Sequence, residues 1–127
     1  MAIRTELNLR LQNSPGSLVR VCRVLADERV NLIALCLEGN GTLRMVVDNH
    51  IHAIATLREQ HYQVEERDVL YAVMPNHPGS LARAVRLVAD AALNLDYAYA
   101  SGVENDPMVG VVMGVPDAIR ASAAAGI

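Results

Sequence analysis

The stretch Asn13-Ser14-Pro15-Gly16-Ser17-Leu18 returns 63 positions later as Asn76-His77-Pro78-Gly79-Ser80-Leu81. The correspondence continues past this point. Arg20, Arg23, Ala26 and Asp27 fall on Arg83, Arg86, Ala89 and Asp90, Asn31-Leu32 on Asn94-Leu95, and Gly39 on Gly102. Between positions 13 and 39, 12 of 27 aligned residues are identical, where chance at ordinary residue frequencies gives about two. The chain is therefore a tandem duplication, with one unit expected over 1–68 and the second over 69–127. A solenoid needs at least about three repeats to bury a continuous core, so each unit is expected to nearly close a core of its own.

Within the first unit, Leu7, Leu9 and Leu11 alternate with Asn8 and Arg10, which is strand spacing over Glu6 to Leu11. Asn13 to Gly16 stops that strand, and Pro15 is suited to the first position of a helix. Leu18, Val21, Cys22 and Leu25 follow at helical spacing and predict an inward stripe, with Arg20, Arg23 and Asp27 on the wet face. Val30 to Leu37 and Leu43 to Asp48 read as strands joined through Glu38-Gly39-Asn40-Gly41, and His50 to Gln60 as a helix with Ile51, Ile54 and Leu57 inward. A last strand is expected from Tyr62 to Asp68. The second unit repeats the order: strand 69–74, helix 78–92, strands 95–101 and 108–115, helix 116–125, after which the sequence reaches Gly126-Ile127. The expected fold is α+β: two ferredoxin-like βαββαβ units with antiparallel sheets and helices on one face, the last strand of the second unit missing. Glu65 to Asp68 runs straight into Val69, which predicts a nearly continuous strand in place of a linker.

Composition narrows the function. Cationic residues number 11 and acidic residues 14, a net charge of −3, which is the wrong sign and too weak for a nucleic-acid or membrane-surface partner. Neither Trp nor Phe occurs and Tyr occurs four times, so the core is aliphatic and a base-stacking platform is excluded. The start carries Arg4, Glu6 and Arg10, too many charges for a secretion signal. Cys22 and Cys36 form no disulfide framework. A cytoplasmic protein is expected.

A duplicated βαββαβ unit with Asn-x-Pro-Gly-x-Leu after its first strand, and Asn-Leu 18 residues after that first Asn, resembles the ACT domain. More narrowly, the chain is similar to small stand-alone tandem-ACT proteins that bind amino acids. The resemblance implies a regulatory module whose units pair side by side and hold a free amino acid at an interface between units. It also implies ligand contacts from Asn13 with Asn31 and from Asn76 with Asn94, and backbone approach at Gly16 and Gly79. Some serine-sensing ACT domains carry a His two positions before the loop Asn. Leu11 and Met74 stand there instead, so serine specificity does not transfer.

The residues themselves point to compatible chemistry. A helix beginning at Pro15 leaves N–H groups at Gly16, Ser17 and Leu18 unpaired, next to the positive end of the helix dipole. A small carboxylate suits such a place, and the Asn13 carboxamide supplies both a donor and an acceptor for a zwitterion. No Lys or Arg lies between Leu11 and Leu18 or between Ala72 and Ala82, which favours a carboxylate over a phosphate. The candidate ligand-binding residues are Asn13, Ser14, Pro15, Gly16, Ser17, Leu18 and Asn31, and Asn76, His77, Pro78, Gly79, Ser80, Leu81, Asn94, Asp96 and Tyr97. Asp96 has two readings, an acceptor for an α-ammonium group and a solvated edge carboxylate beside two half-buried tyrosines, while the resemblance to tandem proteins with an Asn-x-x-Tyr-x-Tyr pattern implies Tyr97 and Tyr99 as a ligand wall or dimer interface. The same asparagines are also ordinary cap and turn residues. His50, His52, His61 and His77 lack the spacing of a metal set, and no nucleophile–base pair can be placed, so no metal, cofactor or catalytic residue is expected.

The expected function is that of a non-enzymatic, homodimeric amino-acid sensor acting on an enzyme of amino-acid metabolism. The alternative is an interaction subunit of a biosynthetic enzyme with no ligand of its own, motivated by the missing edge strand. A small hydrolase ranks last, because neither strand–helix loop carries an Arg to hold its anion.

Overall fold

Alternating leucines and Ala/Val/Leu helical stripes become, over the residues described by the computed structural model (2–124), six strands and four helices. Their order is β1 (Ala2–Arg10), α1 (Ser17–Asp27), β2 (Leu32–Leu37), β3 (Thr42–Val47), α2 (His50–Glu59), β4 (Glu65–Pro75), α3 (Ser80–Asp90), β5 (Tyr97–Ser101), β6 (Met108–Gly114) and α4 (Ala118–Ala124). The expected end of the last helix at Ala125 lies outside the described residues.

Thr5–Arg67 forms one compact unit. Its strands lie in the order β2-β3-β1, all antiparallel, with Leu7 opposite Met45 and Leu9 opposite Leu43. Those four residues face the helices and join Leu11, Val21, Leu25, Val47, Ala53, Ile54 and Leu57 in a single core. Burying each leucine fully is worth about 1.5–3 kcal/mol. Both helices therefore cover the same sheet face. Ile51 departs from expectation and is 74% exposed. The buried stripe of α2 centres on Ala53 and Leu57, and Ile51 falls outside it. Glu6, a polar position of the strand pattern, is fully buried and accepts a hydrogen bond from Asn8 Nδ2 at 3.1 Å.

The other unit begins at Asp68 and takes in the first residues of β1 up to Arg4. Its strand order is β4-β6-β5, antiparallel, with Leu70 opposite Met113 and Ala72 opposite Val111. Leu70, Ala72, Met74, Val111 and Met113 pack with Ala84 and Val88 of α3 and Ala118 and Ala121 of α4. Among the described residues no strand follows α4. The Arg4 guanidinium carbon lies 5.3 Å from the centroid of the Tyr71 ring, a cation–π contact inside this unit. The boundary between the units falls within β4, so the expected continuous strand is present and no loop intervenes.

Helix starts differ from the sequence reading. Neither α1 nor α3 begins at its proline. Gly16 (φ 85°, ψ −4°) and Gly79 (φ 89°, ψ −14°) are left-handed, and helix begins one residue later. Proline followed by a left-handed glycine is the centre of a type II turn. Its closing bonds run from Ser17 N–H to Ser14 O and from Ser80 N–H to His77 O, both 3.3 Å. β2 and β5 also begin later than expected, which leaves Asn31, Asn94 and Asp96 ahead of their strands.

Candidate functional site

The first turn is assembled from the end of β1. Leu11 N–H donates to Gly41 O at 2.8 Å, tying the strand end to the β2–β3 hairpin. The hydroxyls of Ser14 and Ser17 meet at 2.8 Å, and Arg20 Nη2 donates to Ser17 Oγ at 3.4 Å. No side chain caps α1. Ser17 N–H is taken by the turn, contrary to the expectation that it is free, because the helix starts there and not at Pro15. The N–H groups of Gly16, Leu18 and Val19 donate no hydrogen bond among the described residues, and neither does the exposed Asn13 carboxamide.

These groups border a cleft of about 310 Å³. Gln12, Asn13, Ser14, Gly16, Ser17 and Leu18 form one wall, and Leu37, Glu38, Gly39 and Gly41 of the hairpin the other. The Glu38 carboxylate is held by the Arg44 guanidinium, so that wall presents a neutralised acid. Arg20 is the residue that the sequence reading missed. Four residues after Gly16, it comes back along the helix face until Nη1 is 3.6 Å from where a Gly16 Cβ would stand. The i, i+4 relation was the available signal. The Arg-free window used to favour a carboxylate over a phosphate ended at Leu18, before the helix had made its first turn.

The second turn has the same backbone and different side-chain partners. Asn76 Nδ2 donates to Asp106 O at 3.0 Å, and Asn76 N–H to Pro107 O at 3.0 Å. His77 Nδ1 lies 3.1 Å from both Pro78 O and Ser80 Oγ. The Asn76 carboxamide is thus committed to the 102–107 loop, whereas that of Asn13 is open. A Cβ on Gly79 would meet nothing within 4 Å, and Leu81 is half exposed.

Neither unit brings its two asparagines together. Asn13 sits at the end of the first unit's sheet where Arg10 pairs with Thr42, and Asn31 at the opposite end, beside Asp48. There, Asn31 N–H donates to Asp48 Oδ1 at 3.0 Å, and Asp48 N–H to Asn31 O at 3.1 Å. In the second unit Asn76 is near Met108, while Asn94 and Asp96 precede Tyr97, which pairs with Gly114. Asp96 N–H donates to Gly114 O at 2.8 Å. The Tyr97 ring covers Gly114 so closely that a Cβ there would lie 2.4 Å from Tyr97 Cζ, and it stacks on Tyr99 at a centroid separation of 6.3 Å. Of the four histidines, His52 pairs with Glu28 at 3.0 Å, linking α2 to α1. Among the described residues no group of three or more His, Cys, Asp or Glu is placed to hold a metal, both cysteines are free, and no helix is long and apolar enough to cross a membrane.

Two ferredoxin-like units in one chain, each entered through an Asn-x-Pro-Gly-x-Leu turn, define a tandem α+β protein. The family model of the ACT domain pair matches residues 1–120, and the chain belongs to that family. Among solved structures, protein BT0572 from Bacteroides thetaiotaomicron shares 30% identity at a TM-score of 0.86, covering 96% of this chain and 85% of that one. The ligand-free regulatory subunit of aspartate kinase from Thermus thermophilus aligns at 17% identity and TM-score 0.70, over 98% of this chain and 92% of that one. Aspartokinase III of E. coli in complex with lysine and aspartate aligns at 14% identity and TM-score 0.56, over 91% of this chain and 29% of that one. No curated protein matches by sequence.

Proposed function

We infer that the protein is a regulatory, non-catalytic amino-acid-binding protein, and that the cleft beside the Ser14–Ser17 turn takes one free amino acid. The observation that carries this reading is the coincidence, at one cleft, of three unengaged backbone amides and an unengaged carboxamide. An α-carboxylate would be held by the amides of Gly16, Leu18 and Val19, and the α-ammonium by the Asn13 carbonyl oxygen. The missing side chain of Gly16 leaves the amides approachable. The open side of the cleft is where a second copy of the chain would close over the ligand, making the sensor a homodimer. The fold's likeness to an aspartate kinase regulatory subunit, and to an aspartokinase solved with lysine and aspartate, supports a place beside an enzyme of amino-acid metabolism. The ligand's influence on such a partner is bounded by its differential affinity for the partner's two states.

An amino acid of about nine heavy atoms, at the ceiling of ~1.5 kcal/mol per atom, reaches micromolar affinity with room to spare. Calorimetric titration of the twenty amino acids should therefore show at least one binder. Asn13→Ala should weaken it about tenfold, the worth of one hydrogen bond to a charged group, with the melting temperature unchanged. Absence of heat with all twenty, from folded protein, overturns the reading and leaves a regulatory subunit that acts through contact alone.

A further inference from the structure

A second cavity, of about 280 Å³, shares Leu11, Gln12 and Ser17 with that cleft and is lined as well by Arg10, Arg20 and Tyr62. Two arginines, both exposed, are among its lining residues, and no Asp or Glu is. Arg10 has no ion-pair or hydrogen-bond partner among the described residues, and the hydrogen bond that Arg20 makes is the 3.4 Å one to Ser17 Oγ. A guanidinium can only donate, and the amide, hydroxyl and phenol around it can all donate as well.

The duplication supplies an internal control. In the second unit a cavity of about 200 Å³ is lined by Val73, Met74, Pro75, Ser80 and Arg83, with Ala72, Ala84 and Leu87. The first five are the residues 63 positions after Arg10, Leu11, Gln12, Ser17 and Arg20. The fold thus makes the same hollow twice. Where the first unit has Arg10 and Gln12, the second has Val73 and Pro75, so neither the arginine nor the amide is needed to form it. What Arg10 adds is a second guanidinium, and paired guanidiniums are the usual recognition element for carboxylate and phosphate oxygens.

We propose that the Arg10–Arg20 cavity is a binding site for a small oxyanion, the phosphate or carboxylate group of a metabolite, separate from the amino-acid cleft. Its volume lies just below the ~300–1,000 Å³ of drug-sized ligand pockets, which suits inorganic phosphate or a short dicarboxylate and excludes a nucleotide. The inference stands whether or not the neighbouring cleft binds an amino acid.

The test is calorimetric titration of the whole chain with inorganic phosphate and, separately, succinate, with sodium chloride matched for ionic strength as the blank. Wild-type protein should bind at least one of them saturably. Binding of phosphate alone identifies a phosphate site, and of succinate alone a carboxylate site. Arg10→Val, which installs the residue the second unit already carries in its equivalent hollow, should weaken that binding about tenfold or more, the worth of a charge-assisted contact. Arg20→Gln should do the same, with far-UV circular dichroism checking that each variant is folded. No binding of either probe above the chloride blank, or undiminished affinity in folded Arg10→Val, overturns the proposal.

Discussion

Gly41 has the tightest surroundings of the left-handed glycines, and its neighbours show why residue type alone ranks such positions poorly. At φ 92°, a Cβ on Gly41 would stand 2.4 Å from the Leu11 carbonyl oxygen, a backbone atom of the residue whose N–H donates to Gly41 O. Gly79 has nearly the same φ but open space around it. A left-handed alanine costs about 1–2 kcal/mol from backbone sterics alone. Gly79→Ala should lower stability by that amount, and Gly41→Ala by clearly more, with the β1–β3 pairing disturbed; urea denaturation of the two variants checks the order. At this scale the sequence was partly legible. The Pro-Gly pairs marked the turns, but a Pro-Gly pair serves equally well at a helix start and in a type II turn, and only φ separates the two. Glu6 was unreadable for a related reason. Alternation tells which residues share a face, and it does not tell that the polar face at Glu6 is closed to water.

Among the helices, α2 is capped by a side chain, the Asn49 Oδ1 accepting from His52 N–H at 3.2 Å, while α1 and α3 enter from glycine with no side-chain cap. Asn49→Ala should therefore cost about 1 kcal/mol, visible as a lower melting temperature of the first unit, because nothing else supplies the first turn of α2 with an acceptor for that amide. The stripe of α1 was legible from its spacing: Val21 and Leu25 lie in the core and Leu18 packs against it. The pairing of Asn13 with Asn31 was not legible from residues and was carried over from the family likeness. The geometry of α1 explains why it is absent within a unit: 11 residues at 1.5 Å each carry the chain about 16 Å, from one end of the sheet to the other. A residue just before such a helix and one just after it are at opposite ends, however suggestive their spacing.

For the whole molecule, duplication conserved the scaffold and let the chemistry diverge. Both halves keep the type II turn, the helix register and a hollow under the first strand's end. The first half carries the open carboxamide and the paired arginines. The second ties Asn76 to the Asp106 carbonyl and lines its hollow with Val73 and Pro75. Function is thus expected to be lopsided, and sequence identity over the repeat concealed this because the diverged positions, 10 and 12, lie just outside the matching stretch. The second unit also recruits the start of the chain through Arg4 and Tyr71. Arg4→Ala should cost about 0.5–1 kcal/mol and speed amide exchange in β4 and β6, leaving β2 and β3 protected as before; equal acceleration in both units would show that the contact does not belong to one of them.

That recruitment has a temporal side. During synthesis at ~5–20 residues per second, Arg4 is made roughly 3–13 seconds before its ring partner. Residues 5–67 form a compact unit that leaves out the leading few residues, which wait for a later-born neighbour. Shortening that wait, by moving the leading segment behind α4 in a circular permutant, would turn an interleaved pair of units into two that mature strictly one after the other.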